Sequence, residues 1–442
     1  MRRVFLSFLG RGSKNKGYRY DKTRYELNGK ISAETEFVQV AELQLLGDIF
    51  DQILIVATRQ SFDEHYVSLT EQAIKLAGTN DGHFREIIIE EDMKDEGQWK
   101  WFEKIFSAIE EGDRLTVDLT HGYRSVPIVF STALNFLQKT KGITLEHVFY
   151  GAFEQNRNEA PVVDMRSFFD INLWADAVTR LTEEADAQKI TEAAQLSHSS
   201  QLPEFNDDSL IKSFEDITDR IRNVDVDNIA KTAHNVTKHI RRVQKKASAS
   251  GKILLQLAEK KFSPLALPED NNKLYENDYF GNQIQIIKVL IEHDLYMQAF
   301  TAMREFLVSV GERHAKKQIE ILIEGEWKDI SNKKKKTRRN DSRRYADKLI
   351  GAFSTNEKDW NFSDLRDEGG KKFLAVMEPF LKSANHAELI EKMKNLCIEL
   401  RDYRNGFDHA WTGKGGMKED IKEKAADFFR QLEEILPLIE RL

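Results

Sequence analysis

The chain has 442 residues, 40% of them hydrophobic, and this length predicts two or three domains with sizeable cores. The formal net charge of −7 argues against a protein coated in positive charge for nucleic acid, but it does not exclude a local basic site. The single cysteine, Cys397, argues against an internal disulfide or a cysteine-based metal site, which fits a reducing cytoplasm. The first residues lack a signal-peptide pattern, and no run approaches the roughly 18 apolar residues of a membrane span. The expectation is a cytoplasmic protein without a membrane span.

The first 165 residues alternate predicted strands with predicted helices. Continuous apolar runs are typical of buried parallel strands, and they occur at 2–10, 51–58, 84–90, 114–120 and 144–153. Helical spacing of apolar residues occurs at 34–47, 61–78 (with Ser61 as its cap), 96–113 and 125–142. Residues 18–32 predict a hairpin around Asn28-Gly29, and 160–167 predict a sixth strand at an edge. The alternation predicts an α/β domain with a doubly wound, mostly parallel, Rossmann-like sheet.

The rest of the chain has almost entirely helical patterns. An apolar-faced helix is predicted over 168–197, a connection over 196–209, and long amphipathic helices over 209–262. Residues 262–272 contain two of the seven prolines and are the predicted boundary before a second helical region. The predicted domains are 1–167, which binds a ligand, 168–270, which connects, and 271–442, which is an all-α domain.

The sequence VDLTHGYRS, residues 117–125, is the first candidate site. It passes from the fourth strand into a helix at the edge where doubly wound sheets bind ligands. Gly122 allows close approach of the backbone, and the free amides at the helix start suit a phosphate. Side-chain donors accompany them at Thr120, His121, Arg124 and Ser125. With the end of the first strand and Thr58 at the same edge, the pattern predicts an anion-binding pocket. The alternative is a set of ordinary strand-end turns.

The glycines after the first strand do not match the common nucleotide-binding motifs. The sequence GRGSKNKG has Asn15 where a dinucleotide fingerprint needs its third glycine. It also lacks the Gly-Lys-Ser/Thr that ends a phosphate-binding P-loop. A nucleotide-dependent oxidoreductase or NTPase is therefore disfavoured.

The sequence RDYRNGFDHA, residues 401–410, is the second candidate site. Arginine is a permanent cation with a planar fork suited to phosphate, and histidine exchanges a proton near neutral pH. Together they can cleave RNA without a metal, through attack of the ribose 2′-hydroxyl on the adjacent phosphate. His409 lies five positions after Arg404, so the two side chains project about 140° apart around a continuous helix. Both reach one cleft if the helix ends near Gly406, or if a second copy supplies the facing wall. The alternative is a capped helix end with a surface histidine.

A strongly basic segment, 332–344, is predicted as a polar loop. Its formal charge is 8 − 1 = +7, from the cations Lys333, Lys334, Lys335, Lys336, Arg338, Arg339, Arg343 and Arg344 and the anion Asp341. Such a segment either contacts RNA phosphates, which needs no particular base sequence, or is simply solvated.

These motifs together resemble the CRISPR-associated CARF–HEPN proteins, the accessory ribonucleases of type III CRISPR systems. The segments FLSFLG, TRYELNG and VDLTHGYRSVP resemble a CARF subfamily with a Thr-His-Gly-Phe/Tyr-Arg signature. The segment RDYRNGFDHA resembles the HEPN signature Arg-x4–6-His, with a polar residue, here Asn405, after the arginine. The resemblance covers both ends of the chain.

The resemblance implies a homodimer, with higher oligomers left open. Paired CARF domains are expected to bind a cyclic oligoadenylate, usually cyclic tetra-adenylate, across the two-fold axis. The implied ligand-binding residues are Ser7, Leu9, Gly10, Thr58, Thr120, His121, Gly122, Arg124 and Ser125. Paired HEPN domains are expected to form one composite cleft that contains two copies of the implied catalytic residues Arg404, Asn405 and His409. No metal or required cofactor is implied.

The predicted function is a metal-independent endoribonuclease for single-stranded RNA, activated by a cyclic oligoadenylate in antiviral defence. The alternative is a non-catalytic CARF regulator whose helical domain binds RNA or a protein partner. The 18–32 hairpin either covers the ligand as a lid or pads the edge of the sheet.

Overall fold

The computed structural model describes eleven ranges and one isolated residue: 1–12, 17, 19–47, 49–90, 95–121, 126–153, 159–196, 202–267, 276–323, 332–353, 368–412 and 418–442. The chain divides into two compact units. The first contains Met1–Leu173, and the second contains Trp174–Ala194 and Leu202–Leu442. The second unit therefore holds most of the predicted connecting region together with the predicted helical domain, and a boundary near residue 270 stays a prediction.

The first unit is built on one sheet, whose described strands follow the order β3-β2-β8-β7-β6-β1-β4-β5. Strands β4, β5, β1, β6 and β7 are all parallel, whereas β8 is antiparallel to β7. The bounds are β1 Arg3–Leu9, β2 Arg24–Leu27, β3 Lys30–Ile31, β4 Gln52–Thr58, β5 Phe84–Ile89, β6 Arg114–Asp118, β7 Thr144–Gly151 and β8 Glu159–Asp164. The α/β alternation and the mostly parallel sheet are confirmed.

Helices cover both faces of this sheet, which is why its central strands are apolar on both sides. The bounds are α1 Val38–Leu46, α2 Arg59–Ala77, α3 Asp95–Ala108 and α4 Val126–Lys141. Alternate side chains of β1 point to opposite faces. Phe5 and Leu9 pack in one buried cluster with residues of α1 and α2. Leu6 and Phe8 pack in a second cluster with residues of α3 and α4.

Two predictions about the first unit are wrong, one about a strand and one about a helix cap. Strand β8 does not lie at an edge, because the hairpin β2–β3 adds to the sheet beyond it. Asn28 and Gly29 both have positive φ, as a two-residue hairpin turn requires. Helix α2 is capped by Thr58, whose side chain accepts a hydrogen bond from the Ser61 amide, so Ser61 is not the cap.

The second unit is helical in every described element longer than one turn. Helix α5, Arg166–Glu184, leads into it, and the other bounds are α6 Gln188–Leu196, α7 Asp208–Arg222, α8 Val226–Gln244, α9 Ala249–Phe262, α10 Asn277–Glu292, α11 Tyr296–Ile323, α12 Asn332–Phe353, α13 Glu368–Lys382, α14 Ala387–Asp408 and α15 Ile421–Glu440. The predicted helix 168–197 is two helices, because Ala185 adopts a left-handed backbone (φ 48°) between α5 and α6. Cys397 is buried on α14, as expected for a core residue.

The basic segment 332–344 is helical, so the prediction of a loop is wrong. Lysine and arginine are good helix formers, and the same helix continues into an apolar face that is buried. That buried face comprises Tyr345, Ala346, Leu349, Ile350 and Phe353. Among the described helices, none is long and apolar enough to cross a membrane.

Candidate functional site

Asp118, the last residue of β6, is the centre of a buried polar cluster at the first candidate site. Its side chain is fully buried. One carboxylate oxygen accepts from Ser7 Oγ at 2.6 Å. The other accepts from the Thr120 amide at 2.8 Å and from Thr120 Oγ1 at 2.5 Å. These donors offset the cost of burying a carboxylate. Asp118 belongs to the segment VDLTHGYRS but was not among the predicted site residues.

Thr120 links this cluster to the neighbouring strand β7. Its hydroxyl oxygen accepts a hydrogen bond from the Gly151 amide at 2.7 Å. A Cβ at position 151 would lie 2.7 Å from Val38 Cγ2 and 3.3 Å from the Thr120 hydroxyl oxygen. A side chain there would displace α1 or break the hydrogen bond. The ends of β6 and β7 are therefore tied together where ligands of such sheets bind.

His121 packs against the chain segment before the hairpin. The ring centroids of His121 and Tyr20 are 5.0 Å apart, and Tyr20 is 5.1 Å from the His65 ring on α2. Burial lowers the pKa of His121, and the nearby Asp118 carboxylate opposes that shift. Burial raises the pKa of Asp118, and the charge of His121 and the Ser7 and Thr120 donors oppose it. The hairpin strands pad the sheet, whereas Tyr20 lies against a predicted ligand residue.

Two further buried polar residues, Gln39 and Glu42, face the sheet from α1. Neither has any exposed surface. Gln39 Nε2 donates to the Phe8 carbonyl at 3.0 Å, but neither carboxyl oxygen of Glu42 has a hydrogen-bond partner among the described residues. Burial, and then the nearby charge of Asp118, raise the pKa of Glu42 well above its ordinary value of 4.5. Burial therefore favours the neutral carboxylic acid form of Glu42 over the charged carboxylate.

The structure places several predicted ligand residues inside the protein. The Ser7 side chain is engaged by Asp118, and Leu9 belongs to an apolar cluster. Thr58 is also buried, and its hydroxyl is occupied by the cap of α2. Gly10 follows β1 and is half-buried. Thr120 and His121 are half-buried at the end of β6, while Gly122, Arg124 and Ser125 lie outside the described residues. Contact with a ligand stays a prediction for this set.

The second candidate site is the C-terminal end of α14. Arg404 Nε donates to Asp408 Oδ2 at 3.0 Å, with the two side chains 33% and 47% exposed. Neither Nη group of Arg404 has a partner among the described residues, and Asn405 and His409 are exposed. The helix continues through Gly406 and ends two residues later, at Asp408, with His409 as its C-cap. Arg404 and His409 therefore project about 140° apart around the helix.

Backbone hydrogen bonds close the turn after α14. The His409 amide donates to the Asn405 carbonyl at 3.0 Å. The Ala410 amide donates to Phe407 O at 3.0 Å, and the Trp411 amide donates to Gly406 O at 2.8 Å. This is the Schellman pattern of helix termini, and it fixes the backbone of His409 at the helix end.

An aromatic core supports this helix end from below. The Phe300 ring on α11 lies 5.7 Å from Tyr403, 5.8 Å from Phe407 and 5.7 Å from Phe428. The Tyr403 hydroxyl is 2.8 and 2.7 Å from the two carboxylate oxygens of Asp420, just before α15. Helices α11, α14 and α15 therefore hold the backbone that presents Arg404 and His409.

The basic helix α12 is attached to α11 by ion pairs. Arg343 Nη1 donates to the buried Glu312 at 3.0 Å, and Arg343 also pairs with Glu305. Arg304 pairs with Asp347. Arg343 is therefore a structural residue and is not available for a phosphate. Across the described part of the chain, no cluster of three or more His, Cys, Asp or Glu side chains is placed to hold a metal ion.

Comparisons with known proteins found similarity in sequence and in structure. No family model matches the chain. A CRISPR-associated protein of Methanocaldococcus jannaschii, MJ1674, is 23% identical over 356 residues, which are 69% of this chain and 53% of that protein. The chain thus spans about half the length of that relative. The structure of Enterococcus italicus Csm6 bound to cyclic hexa-2′-fluoro-hexa-dAMP matches with a TM-score of 0.45 and 11% identity, over 99% of this chain and 94% of that one. In sequence, the chain is similar to a CRISPR-associated protein.

Proposed function

We propose that the protein is a metal-independent endoribonuclease for single-stranded RNA, activated by a cyclic oligoadenylate in CRISPR defence. The observation that carries the proposal is the end of α14. There Arg404 keeps both Nη groups without a partner among the described residues, and Asn405 and His409 are exposed beside it. A structural ion pair would engage the fork, whereas a phosphate-binding arginine needs it free. The similarity to a CRISPR-associated protein supports the setting.

The proposed reaction needs these side chains and the RNA itself. His409 removes the proton of a ribose 2′-hydroxyl, and the oxygen attacks the adjacent phosphorus. The bond from phosphorus to the 5′-oxygen breaks, and that oxygen takes up a proton from water. One fragment then carries a cyclic phosphate and the other a 5′-hydroxyl. Arg404 stabilises the extra negative charge on the phosphoryl oxygens, and Asn405 holds a neighbouring phosphate.

A second copy of the chain completes the proposed site. Because Arg404 and His409 diverge by about 140° around one helix, a single copy presents them to different sides. A two-fold pair of α14 ends supplies an arginine from one copy opposite a histidine from the other. Specific activity is therefore expected to fall when the enzyme is diluted below the dissociation constant of the dimer.

The proposed activator site is the edge formed by the ends of β6 and β7. Thr120 and His121 lie there, next to the predicted residues Gly122, Arg124 and Ser125. A ring of phosphates with two-fold symmetry suits identical edges from two copies. Cyclic tetra-adenylate is the proposed activator, and its binding shifts the population of the helical unit toward a cleaving arrangement.

The test is cleavage of labelled single-stranded RNA in EDTA, with no ring and with cyclic tri-, tetra- or hexa-adenylate. Wild type is expected to cleave when cyclic tetra-adenylate is present. Arg404→Ala and His409→Ala are expected to lose activity by at least about a hundredfold, because each removes one chemical role. Arg401→Ala, three residues earlier on the same helix, is the matched control and is expected to stay within about threefold.

Two outcomes would overturn the proposal. If neither Arg404→Ala nor His409→Ala reduces cleavage, the end of α14 is not the nuclease site. If wild type binds RNA or the ring but never cleaves, the protein is a regulator and not an enzyme.

A further inference from the structure

Two successive residues after α14 adopt a backbone that is unusual for their type. Ala410 has φ 48° and Trp411 has φ 57°, both in the left-handed region. Glycine usually occupies the first of these positions in a Schellman turn, because a Cβ there costs free energy. Such strain persists where the surrounding structure compensates for it, and it is concentrated at functional sites. This turn directly follows His409.

The compensation is a contact between the Trp411 ring and Gly406. A Cβ built at position 406 would lie 2.5 Å from both Cε3 and Cη2 of the Trp411 ring, which is closer than real atoms approach. Phe407 meets the same ring edge-on, with centroids 5.2 Å apart, and Phe407 in turn packs on Phe300. The indole therefore packs directly on the helix backbone at position 406, where any residue other than glycine would clash with it.

Gly406 is otherwise a poor choice for the interior of a helix. Glycine lowers helix stability relative to alanine because it loses more backbone entropy on folding. Gly281, inside α10, shows the contrast, since a Cβ there would meet nothing within 4 Å. The glycine at 406 is explained by the indole that lies on it.

We propose that Gly406 and Trp411 are positioning residues that fix the direction of His409 relative to Arg404. This inference rests on the proposed nuclease function. The Trp411 ring on Gly406 holds the left-handed pair at 410–411. The amides of that pair donate to the Phe407 and Gly406 carbonyls, which closes the turn directly after His409. Without the contact between the Trp411 ring and Gly406, residues 410–411 relax to negative φ. The imidazole of His409 then no longer points in the direction needed for proton transfer.

The principal variant is Gly406→Ala, with Gly281→Ala as the matched control. Both add one methyl group to a helix and raise its helix propensity. Gly406→Ala is expected to reduce kcat at least about tenfold with KM changed less than about twofold, since the misplaced group acts in the chemical step. Gly281→Ala is expected to leave both constants within about twofold. Circular dichroism is expected to show undiminished helix in both.

A double-mutant cycle separates positioning from a general loss of structure. Trp411→Ala alone is expected to match Gly406→Ala, and the double variant is expected to lose no more than either one, because alanine at 406 acts by displacing the indole. Trp411→Phe is expected to recover most of the activity. The emission of Trp411, obtained by subtracting the Trp411→Phe spectrum, is expected to shift to the red in Gly406→Ala.

The outcomes distinguish this inference from the proposed function. If wild type does not cleave RNA, or Arg404→Ala is fully active, the nuclease proposal fails. If wild type cleaves but Gly406→Ala behaves like Gly281→Ala, or the Gly406 and Trp411 effects simply multiply, the positioning role is overturned. An unshifted Trp411 emission in Gly406→Ala would likewise overturn it, even without a kinetic measurement.

Discussion

The two candidate sites differ in where their polar groups are satisfied. At the end of β6, Asp118 is fully buried and its oxygens are occupied by Ser7 and Thr120. At the end of α14, His409 is exposed, and within the described ranges Arg404 makes one hydrogen bond, to the exposed Asp408. The hydrogen bonds of the Asp118 carboxylate are satisfied within the protein, and they shape an edge of the sheet. The second site is chemically incomplete and needs another surface, which is why a dimer is proposed for it.

The difference also decides how strongly each site responds to substitution. Removing a buried hydrogen-bonded carboxylate leaves its donors unsatisfied in a medium of low dielectric constant, which costs several kcal/mol. Removing one member of an exposed ion pair costs about 0.5 kcal/mol, because water takes its place. Variants of the strand-end cluster should therefore change stability, whereas variants at α14 should change activity with little effect on stability.

The largest expected effect on stability is that of Asp118→Ala. The substitution strands the Ser7 hydroxyl and both Thr120 donors, so the free energy of unfolding is expected to fall by about 2–4 kcal/mol. Chemical denaturation followed by circular dichroism measures this change. Binding of the cyclic oligoadenylate, measured by calorimetry at a temperature where the variant is folded, is expected to weaken too.

Thr116→Val is the matched control for Asp118→Ala. Thr116 lies two residues earlier on β6, on the same face, and its buried hydroxyl has no hydrogen-bond partner among the described residues. A methyl group of similar size costs little there. If Asp118→Ala is no less stable than Thr116→Val, the buried cluster does not stabilise the first unit.

A smaller effect is expected from substitutions in the basic helix α12. They test whether this helix of the second unit binds RNA. When the logarithm of the binding constant is plotted against the logarithm of the salt concentration, each contact between a cation and a phosphate of single-stranded RNA contributes about 0.7 to the slope. Changing Lys333, Lys334, Lys335 and Lys336 to Ser is therefore expected to flatten the slope by as much as about 2.8. Cleavage rates at subsaturating RNA between about 50 and about 200 mM salt measure it.

The control variant changes four other exposed lysines to Ser. Two of them follow α8 and two lie on α9, namely Lys245, Lys246, Lys252 and Lys260. The two variants lose the same formal charge. Equal salt slopes for wild type and both variants would show that α12 is solvated and takes no part in RNA binding.

The next prediction concerns the pH dependence of stability that Glu42 causes at the buried site. Its pKa in the folded protein is raised well above 4.5, so above about pH 4.5 the folded state keeps a proton that the unfolded state loses. The stability that Glu42 contributes as a neutral acid is thus lost as pH rises towards the folded-state pKa. The slope is at most about 1.4 kcal/mol per pH unit.

Glu42→Gln is expected to remove this slope above about pH 4.5, because the amide has a similar shape and carries no proton to lose. Glu64→Gln is the control. The exposed Glu64 has a lowered pKa, through its hydrogen bond from Arg11, so its stability contribution is lost as pH falls below about 4.5 and does not alter the higher range. If the free energy of unfolding depends on pH in the same way for wild type and Glu42→Gln, the pKa of Glu42 is not raised in the folded protein.

The sequence predicted the elements that depend on local periodicity and missed those that depend on distant pairing. The strands and helices of the first unit have apolar spacing that needs no knowledge of neighbours. The place of β8 depends on the hairpin inserted more than a hundred residues earlier, so the pattern of 160–167 alone could not reveal it. The loop predicted over 332–344 followed from charge alone, whereas the apolar face after Arg344 extends the helix through it.

The sites divide in the same way. The segment ending β6 was found because Thr120 and His121 follow an apolar strand, and the structure places them at the predicted edge. Asp118 carried a signal that was not used, since a carboxylate inside a buried strand needs donors. Glu42 carried none, because polar residues of an amphipathic helix normally face water and α1 is instead buried all round.

The smallest expected effect is that of Tyr403→Phe. Tyr403 belongs to the aromatic core that packs beneath the end of α14. The hydroxyl of Tyr403 donates to the Asp420 carboxylate, while the ring packs on Phe300 and Phe428. The substitution removes the hydrogen bond and keeps the ring, so the free energy of unfolding is expected to fall by about 1 kcal/mol, as for a bond to a charged group that water partly replaces. RNA cleavage is expected to stay within about twofold, because the aromatic core that carries α14 is unchanged. A Tyr403→Phe variant that folds normally but loses cleavage would mean that the hydroxyl, and not the ring, holds the catalytic end of α14 in place.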